Sequence, residues 1–198
     1  MTDRLDDAKR ALRAELRERR QQLSDAQREA AAEGIREQLL ALIDRLGARS
    51  VSCFLSTPSE PGTRPFIAAA TARGVRVLLP LTREDGLLDW AVATPGGEEI
   101  QSAYGVPEPV GEVLGPIAVN DVDLMIIPAA AIGANGMRLG WGRGFYDKTL
   151  GSMDRRPPVY AVIYDSELVD SVPEDVHDQP VTGVVTPTRT RDLSAGHP

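Results

Sequence analysis

The chain of 198 residues has a formal net charge of −7 and a hydrophobic content of 42%. This length suffices for one α/β domain with a full core, and the acidic balance argues against a general nucleic-acid binder, which needs a basic face. No run approaches the roughly 20 apolar residues of a membrane helix, and the charged N-terminus lacks the apolar stretch of a signal peptide. We therefore expect a single cytoplasmic domain over residues 1–198 whose partners include neither membrane nor nucleic acid. A monomer is the default expectation, although the sequence holds no signal for the oligomeric state.

The first 47 residues predict two helices. Apolar residues, among them Leu12 and Leu16, recur in the first segment at the spacing of one helical face. A capping box from Ser24 to Gln27 starts the second helix, which ends at Gly47. Residues 9–20 carry six basic side chains against two acidic ones in an otherwise acidic protein, so we expect part of the first helix to meet an anion.

Four apolar runs after residue 50 predict the strands of a parallel sheet. They are continuous rather than alternating, as in a sheet covered by helices on both faces, and they lie at residues 51–55, 75–80, 123–128 and 159–164. Thr63 is expected to cap a helix that has Pro65 in its first turn and ends at Gly74. Strand, helix and strand then form a βαβ unit.

Three weaker features complete this part of the chain. Residues 86–94 alternate between polar and apolar side chains, which predicts a half-buried strand near an edge of the sheet. Residues 95–120 are rich in proline and glycine and predict an irregular connection. The single cysteine, Cys53, lies in an apolar run and is interpreted as a small core residue rather than a catalytic thiol.

A glycine-rich loop at residues 133–148 gives the strongest functional signal. It follows directly after the strand that ends at Pro128 and contains five glycines within twelve positions. Because glycine has no Cβ atom, backbone N–H groups can converge on phosphate oxygens, and a predicted helix from Phe145 adds the positive end of its dipole. Neither GxxxxGK[ST] nor GxGxxG is completed, which disfavours P-loop kinases and nicotinamide dehydrogenases. A flexible surface connection is the alternative.

Residues 138–147 resemble the signature of the 5-formyltetrahydrofolate cyclo-ligases, also called methenyltetrahydrofolate synthetases. Further similar segments occur in register along nearly the whole chain: residues 8–13, residues 54–56 followed by Glu60 and Thr63, residues 104–107, and Val172-Pro173 leading to His177-Asp178. The sequence pattern and the resemblance imply the same fold class: a three-layer α/β domain with a mostly parallel sheet flanked by helices, of the NagB/RpiA/CoA-transferase-like kind, with two N-terminal helices packed across it.

The resemblance implies an ATP-dependent reaction. In this family 5-formyltetrahydrofolate is cyclised to 5,10-methenyltetrahydrofolate with release of ADP and phosphate. The γ-phosphoryl group passes to the formyl oxygen, N10 attacks the resulting iminium phosphate, and phosphate departs. Such a transfer depends mainly on positioning and charge stabilisation.

The resemblance also assigns residues to roles. It implies that ATP is bound by two segments, Lys9, Arg10, Ala11, Leu12 and Arg13, and Arg138, Leu139, Gly140, Trp141, Gly142, Arg143, Gly144, Phe145 and Tyr146. It implies a folate site made of Arg13, Leu55, Glu60, Tyr104, Trp141, Gly142, Arg143, Gly144 and Phe145. It implies catalytic roles for Arg143 and Tyr146. It also implies that Asp147 and Asp178 bind Mg²⁺, which agrees with the preference of this ion for oxygen ligands.

Other polar residues near these motifs are expected to have no role in the site. Arg17, Arg19 and Arg20 are predicted to solvate the outer face of the first helix, and His177 is predicted to be a loop residue. Two positions depart from the family signature: Phe145 replaces a tyrosine, and Trp141 stands where a basic residue is common.

Two other functions remain open on the residues alone. A sugar-phosphate isomerase or CoA-transferase-like protein would use a similar sheet and glycine loops without ATP hydrolysis. A non-catalytic binding protein would use residues 9–20 to meet a partner, with a strong dependence on salt.

Overall fold

The computed structural model of the chain describes residues 2–176 and 178–193. His177 lies outside the described residues. The helices are α1 (Thr2–Gln21), α2 (Asp25–Leu46), α3 (Arg64–Ala72) and α4 (Phe145–Ser152), and two short 3₁₀ helices span Pro116–Asp121 and Asp165–Glu167. The strands are β1 (Ser50–Ser52), β2 (Arg76–Thr82), β3 (Leu88–Val92), β4 (Glu99–Gln101), β5 (Pro107–Pro109), β6 (Leu124–Pro128), β7 (Ala131–Gly133), β8 (Arg138–Leu139), β9 (Val159–Val162), β10 (Leu168–Val169), β11 (Gly183–Val185) and β12 (Thr190–Asp192).

The main sheet has seven strands in the order β12-β11-β9-β6-β1-β2-β3. Its five central strands are parallel to one another, whereas β3 and β12 are antiparallel and form the two edges. The predicted mostly parallel sheet is confirmed, and so is the edge position of the strand predicted at residues 86–94, which is β3. The strands β11 and β12 had no counterpart in the sequence-based prediction.

The second helix covers one face of this sheet. The Ser24 hydroxyl accepts the Gln27 N–H at 3.2 Å and the Gln27 side chain accepts the Ser24 N–H at 2.9 Å, so the predicted capping box is present. Gly47 ends the helix in the left-handed conformation, with φ 62°, which glycine adopts without a steric penalty. Ile35 and Leu39 are fully buried in the core under the sheet.

The first helix packs elsewhere. A second, three-stranded sheet with the order β10-β7-β8 lies beside the main one, and Leu16 of α1 packs there against Ala131, Leu139 and Val172. We expected both N-terminal helices to lie across the main sheet, and for α1 this was wrong. The β7–β8 hairpin offers an apolar face of its own, and α1 covers it.

Two local predictions were wrong. Thr63 does not cap α3 with its side chain, because its hydroxyl donates to the Phe54 carbonyl at 2.6 Å and is thereby committed to the loop after β1. Residues 95–120 are not wholly irregular: they hold the β4–β5 hairpin and a 3₁₀ helix. Every residue of β4 is exposed, so no apolar alternation marked it in the sequence.

Two further predictions can be compared with the structure. Cys53 is 1% exposed in the main core, and burial raises the pKa of its thiol, as suits a packing residue rather than a nucleophile. Pro65 stands in the first turn of α3, as predicted. Among the described residues, no helix is both long enough and apolar enough to cross a bilayer.

Candidate active site

A cavity of about 570 Å³ opens at the carboxyl ends of β1 and β6, which are neighbours in the main sheet. Carboxyl ends of parallel strands are the usual place for ligand sites in such folds. Five segments supply the walls: α1, the loop after β1, the turn of the β4–β5 hairpin, the glycine loop, and the connection between β10 and β11. The lining residues are Asp6, Lys9, Arg13, Arg17, Thr57, Ser59, Glu60, Tyr104, Gly105, Val106, Pro128, all of residues 138–147, and Asp178.

The glycine loop lines this cavity and carries free backbone donors. Among the described residues, the N–H groups of residues 141–147 find no acceptor; the first such bond of α4 runs from Lys148 to the Gly144 carbonyl at 2.9 Å. Gly144 stands at the helix N-cap without a capping side chain. Gly142 and Gly144 have φ values of 96° and 75°, which favour glycine. Consecutive free donors beside a helix N-terminus form a site for an anion.

Two cationic side chains of α1, Lys9 and Arg13, also line the cavity. Arg13 Nε donates to the Gly140 carbonyl at 2.7 Å, and Lys9 Nζ lies 2.6 Å from an Asp178 carboxylate oxygen. These residues are four apart and share a face of the helix. Arg10 and Ala11 are exposed and Leu12 packs against the small sheet, so these three predicted ATP residues do not line the cavity.

The three other arginines of α1 differ from one another. Arg19 is half-exposed and pairs with Glu15, in agreement with the predicted outer face. Arg17 is exposed, as predicted, although it also lines the cavity. Arg20 is 1% exposed, so the prediction of a solvated side chain was wrong for this residue. Arg13, Arg17 and Arg20 follow one another at helical steps of four and three, and this spacing was the available signal.

The two predicted metal ligands both lie at the cavity. Asp147 Oδ1 is 2.9 Å from Arg138 Nη2, yet this buried oxygen accepts no hydrogen bond within the described part of the chain. Asp178 pairs with Lys9. No group of three or more histidine, cysteine or acidic side chains is close enough to hold a metal, as far as the chain is described. Each carboxylate therefore already faces a cation, and a metal here would need further oxygen ligands.

Glu60 and two aromatic residues form another part of the cavity wall. The Thr57 N–H donates to Glu60 Oε2 at 2.8 Å, and burial raises the pKa of the Glu60 carboxyl. Tyr104 meets Phe145 edge to face at 5.4 Å between ring centroids. Arg143 Cζ lies 5.3 Å from the Tyr104 ring centroid, a cation–π contact.

Two predicted residues differ in their distance from the cavity. Tyr146 is at its wall, and burial raises the pKa of its hydroxyl, so this group stays protonated at neutral pH and can donate a hydrogen bond. Leu55 is 6% exposed and belongs to the main core. It does not line the cavity.

Comparison with known proteins gives a consistent result. Residues 6–187 match the model of the 5-formyltetrahydrofolate cyclo-ligase family. The chain belongs to this family. It is 35% identical to the 5-formyltetrahydrofolate cyclo-ligase of Mycolicibacterium smegmatis, over 92% of this chain and 95% of the relative. It is 30% identical to the cyclo-ligase of Escherichia coli K12, over 88% and 97% of the two chains.

Solved structures agree with the fold. The NMR structure of Aquifex aeolicus 5,10-methenyltetrahydrofolate synthetase superposes with a TM-score of 0.78 at 26% identity, covering 96% of this chain and 95% of that one. A 5,10-methenyltetrahydrofolate synthetase from Mycoplasma pneumoniae, at 19% identity, superposes with a TM-score of 0.72 over 90% and 98% of the chains. This second likeness supports the fold alone.

The two departures from the signature of the cyclo-ligase family have local explanations. Arg17 and Arg20 place their guanidinium carbons 5.4 and 4.9 Å from the Trp141 ring centroid, so positive charge lies at this position although the residue itself is neutral. Phe145 uses its ring to pack against Tyr104. The cavity residues Asp6, Thr57 and Ser59 had not been predicted, although Thr57 and Ser59 lie in the loop after the first predicted strand.

Proposed function

We propose that this chain cyclises 5-formyltetrahydrofolate to 5,10-methenyltetrahydrofolate at the expense of ATP, and that the cavity is its active site. The observation that carries the proposal is the row of free backbone N–H groups at residues 141–147, beside Lys9 and Arg13. Membership of the cyclo-ligase family supports the substrate and the direction of the chemistry. The cytoplasmic location, the monomeric state and the single-domain organisation stay predictions from the sequence.

The glycine loop and α1 together are assigned to the phosphates of ATP. The cavity wall holds five cationic and four acidic side chains, and a polyphosphate would shift this balance by drawing cations away from carboxylates. Arg13 is already fixed by the Gly140 carbonyl, so its charge is positioned next to the free amides. Preorganised donors of this kind stabilise developing charge in a transferring phosphoryl group at little reorganisation cost.

Asp147 and Asp178 are assigned to Mg²⁺. The fit rests on Asp147 Oδ1, a buried oxygen that makes no hydrogen bond within the described residues, and on the oxygen character of both side chains. When bound, the ion would neutralise phosphate charge. Their present partners Arg138 and Lys9 would then be free to contact phosphate oxygens, which replaces one opposite-charge contact by another.

The part of the wall formed by Glu60, Tyr104 and Phe145 is assigned to the folate. Glu60 can accept hydrogen bonds from the amino and ring N–H donors of a pterin, and its carboxylate is held in place by the Thr57 N–H. Tyr104 and Phe145 offer ring faces and edges to a flat heterocycle. We therefore assign the folate to a position next to the glycine loop, because Phe145 begins the helix that follows this loop.

The chemistry needs a formyl oxygen that can leave. Transfer of the γ-phosphoryl group to this oxygen turns a poor leaving group into phosphate. The N10 lone pair then forms a bond to the formyl carbon and N10 loses its proton to solvent. The C–O bond breaks, and its electron pair departs with phosphate. Arg143 supplies charge, and the protonated Tyr146 hydroxyl supplies a hydrogen bond, to the oxygens that gain negative charge.

The test is incubation of the protein with 5-formyltetrahydrofolate, ATP and Mg²⁺ while the ultraviolet absorbance of the methenyl product is followed. We expect one ADP per methenyl product and no product without ATP. Product formed without ATP, or no product from a protein that circular dichroism shows to be folded, would refute the proposal.

A further inference from the structure

Arg20 lies at the C-terminal end of α1, outside the cavity, in a fully buried ion pair. Its side chain is 1% exposed and that of its partner Glu167 is 3% exposed. Its Nε and Nη2 atoms donate to the two carboxylate oxygens at 2.7 and 2.8 Å, and Nη2 also donates to the Ala129 carbonyl at 2.9 Å. One guanidinium thus joins α1, the end of β6 and the 3₁₀ helix before β10.

The same guanidinium lies against the glycine loop. Its Cζ atom is 4.9 Å from the centroid of the Trp141 ring, and that of Arg17 is 5.4 Å away. The indole Nε1 of Trp141 is buried and makes no hydrogen bond to any described residue. The ring is therefore held by packing and by cation–π attraction. Arg17 and Arg20 of α1 supply the two cations of this attraction.

Stability alone does not account for such a pair. Burying an ion pair costs desolvation that often equals or exceeds the attraction, and apolar residues of similar size serve a core as well or better. A planar guanidinium that donates to a carboxylate and stacks on an indole at the same time has defined geometry, which a flexible apolar side chain lacks. This combination is suited to fixing the position of the loop.

Arg20 contacts Trp141, and the neighbouring residue, Gly140, is held by a second arginine of α1. Arg13 holds the Gly140 carbonyl at 2.7 Å, and Arg20 holds the ring of the following residue, Trp141. Gly142, which comes next, begins an exposed stretch whose backbone N–H groups are free. We propose that Arg20, oriented by Glu167, is a positioning residue that aligns these amides for the phosphates of ATP. This inference rests on the function proposed above.

The experiment separates positioning from folding with a double variant. Arg20→Met combined with Glu167→Leu removes both charges and leaves an apolar pair, which is expected to fold. Arg20→Lys keeps the charge but loses the planar fork. Arg45→Met is the control, because Arg45 forms a half-exposed ion pair with Asp192 and lines neither cavity wall.

Two readouts are measured on each protein. The first is the KM for ATP against the KM for 5-formyltetrahydrofolate. The second is the emission of Trp141 with and without a non-hydrolysable ATP analogue and Mg²⁺, taken as the difference from the matching Trp141→Phe protein, which removes the contribution of the buried Trp90.

We expect the double variant to raise the KM for ATP about tenfold or more, because small displacements of positioning groups have large effects, while the KM for the folate changes by less than about twofold. Its Trp141 emission without nucleotide should already differ from that of the wild type, and Arg20→Lys should show a smaller change in the same direction. Arg45→Met should match the wild type in both readouts.

A folded double variant with the wild-type KM for ATP and the wild-type Trp141 emission would overturn the inference. If the double variant does not fold, Arg20→Lys decides by the same two criteria. A wild-type protein that forms no methenyl product would instead refute the proposed function, and the emission measurements would still report whether Arg20 sets the position of Trp141.

Discussion

Replacement of Gly142 by alanine tests the glycine loop with the least chemical change. The residue has φ 96°, a conformation that costs an L-residue about 1–2 kcal/mol. The added Cβ would lie 3.5 Å from Arg13 Cζ, an ordinary contact, so no clash adds to this strain. The loop can relieve the strain only by turning its backbone, and this turns the free amides away from their present direction.

The expected loss is one of activity. A displacement of about 1 Å in a positioning group can cost about 10²-fold in rate, so we expect kcat/KM for ATP to fall by about that factor. The free energy of unfolding should fall by no more than about 1–2 kcal/mol, the strain itself. The assays are methenyl product formation under varied ATP and urea denaturation followed by circular dichroism.

The matched control is Gly74→Ala. Gly74 has φ 80°, and an added Cβ would meet no atom within 4 Å. The residue precedes the amino end of β2, away from the cavity. The variant should lose similar stability and keep wild-type kcat/KM. If both variants keep wild-type kcat/KM, or if both lose it to the same extent, the role given to the loop backbone is refuted.

Three further predictions concern single side chains. Arg13→Ala should raise the KM for ATP about tenfold or more, since hydrogen bonds to charged groups contribute about 1.5–3 kcal/mol. The control Arg10→Ala removes an exposed side chain and should change the KM for ATP by less than about twofold. Equal effects of the two variants in steady-state kinetics would contradict the assignment of Arg13. Because burial raises the pKa of Glu60 above 4.5, the folded state binds this proton more tightly than the unfolded state. The wild type should therefore lose stability as pH rises from 4.5 through the raised pKa, and Glu60→Gln should lack this loss in urea titrations across that range; parallel pH profiles would contradict it. Ser24→Ala should cost about 1 kcal/mol of unfolding free energy through the lost helix cap, with unchanged kcat/KM, and an unchanged midpoint of urea denaturation would show that the cap contributes nothing.

The parts of the fold that could be predicted are those with a strong local pattern. Continuous apolar runs identified β1, β2, β6 and β9 because each is buried on both faces of the sheet. The capping box and the glycine at the end of α2 identified that helix to within a residue or two. The strands β11 and β12 have three residues each, too few to show a period that distinguishes them from a loop.

In the candidate site, too, the features with a local sequence pattern could be predicted, and those that depend on distant residues could not. Closely spaced glycines after a buried strand predict a phosphate loop from sequence alone, because such a site depends on the backbone, and this assignment stays a prediction. The role of Arg20 could not be predicted in this way, since its partner Glu167 is 147 residues away in the chain. The spacing of Arg13, Arg17 and Arg20 indicates that they share one side of the helix, but it does not say which of them is buried, because that depends on what the rest of the chain places against this side.

The backbone amides of the glycine loop are proposed to bind the phosphates of ATP. The most direct measurement is an NMR titration of the ¹⁵N-labelled protein with a non-hydrolysable ATP analogue and Mg²⁺. The amide signals of Gly142, Arg143 and Gly144 should show the largest shifts and slower exchange with water, while that of Gly74 stays in place. Saturable binding that leaves the three loop amides unchanged would contradict this assignment.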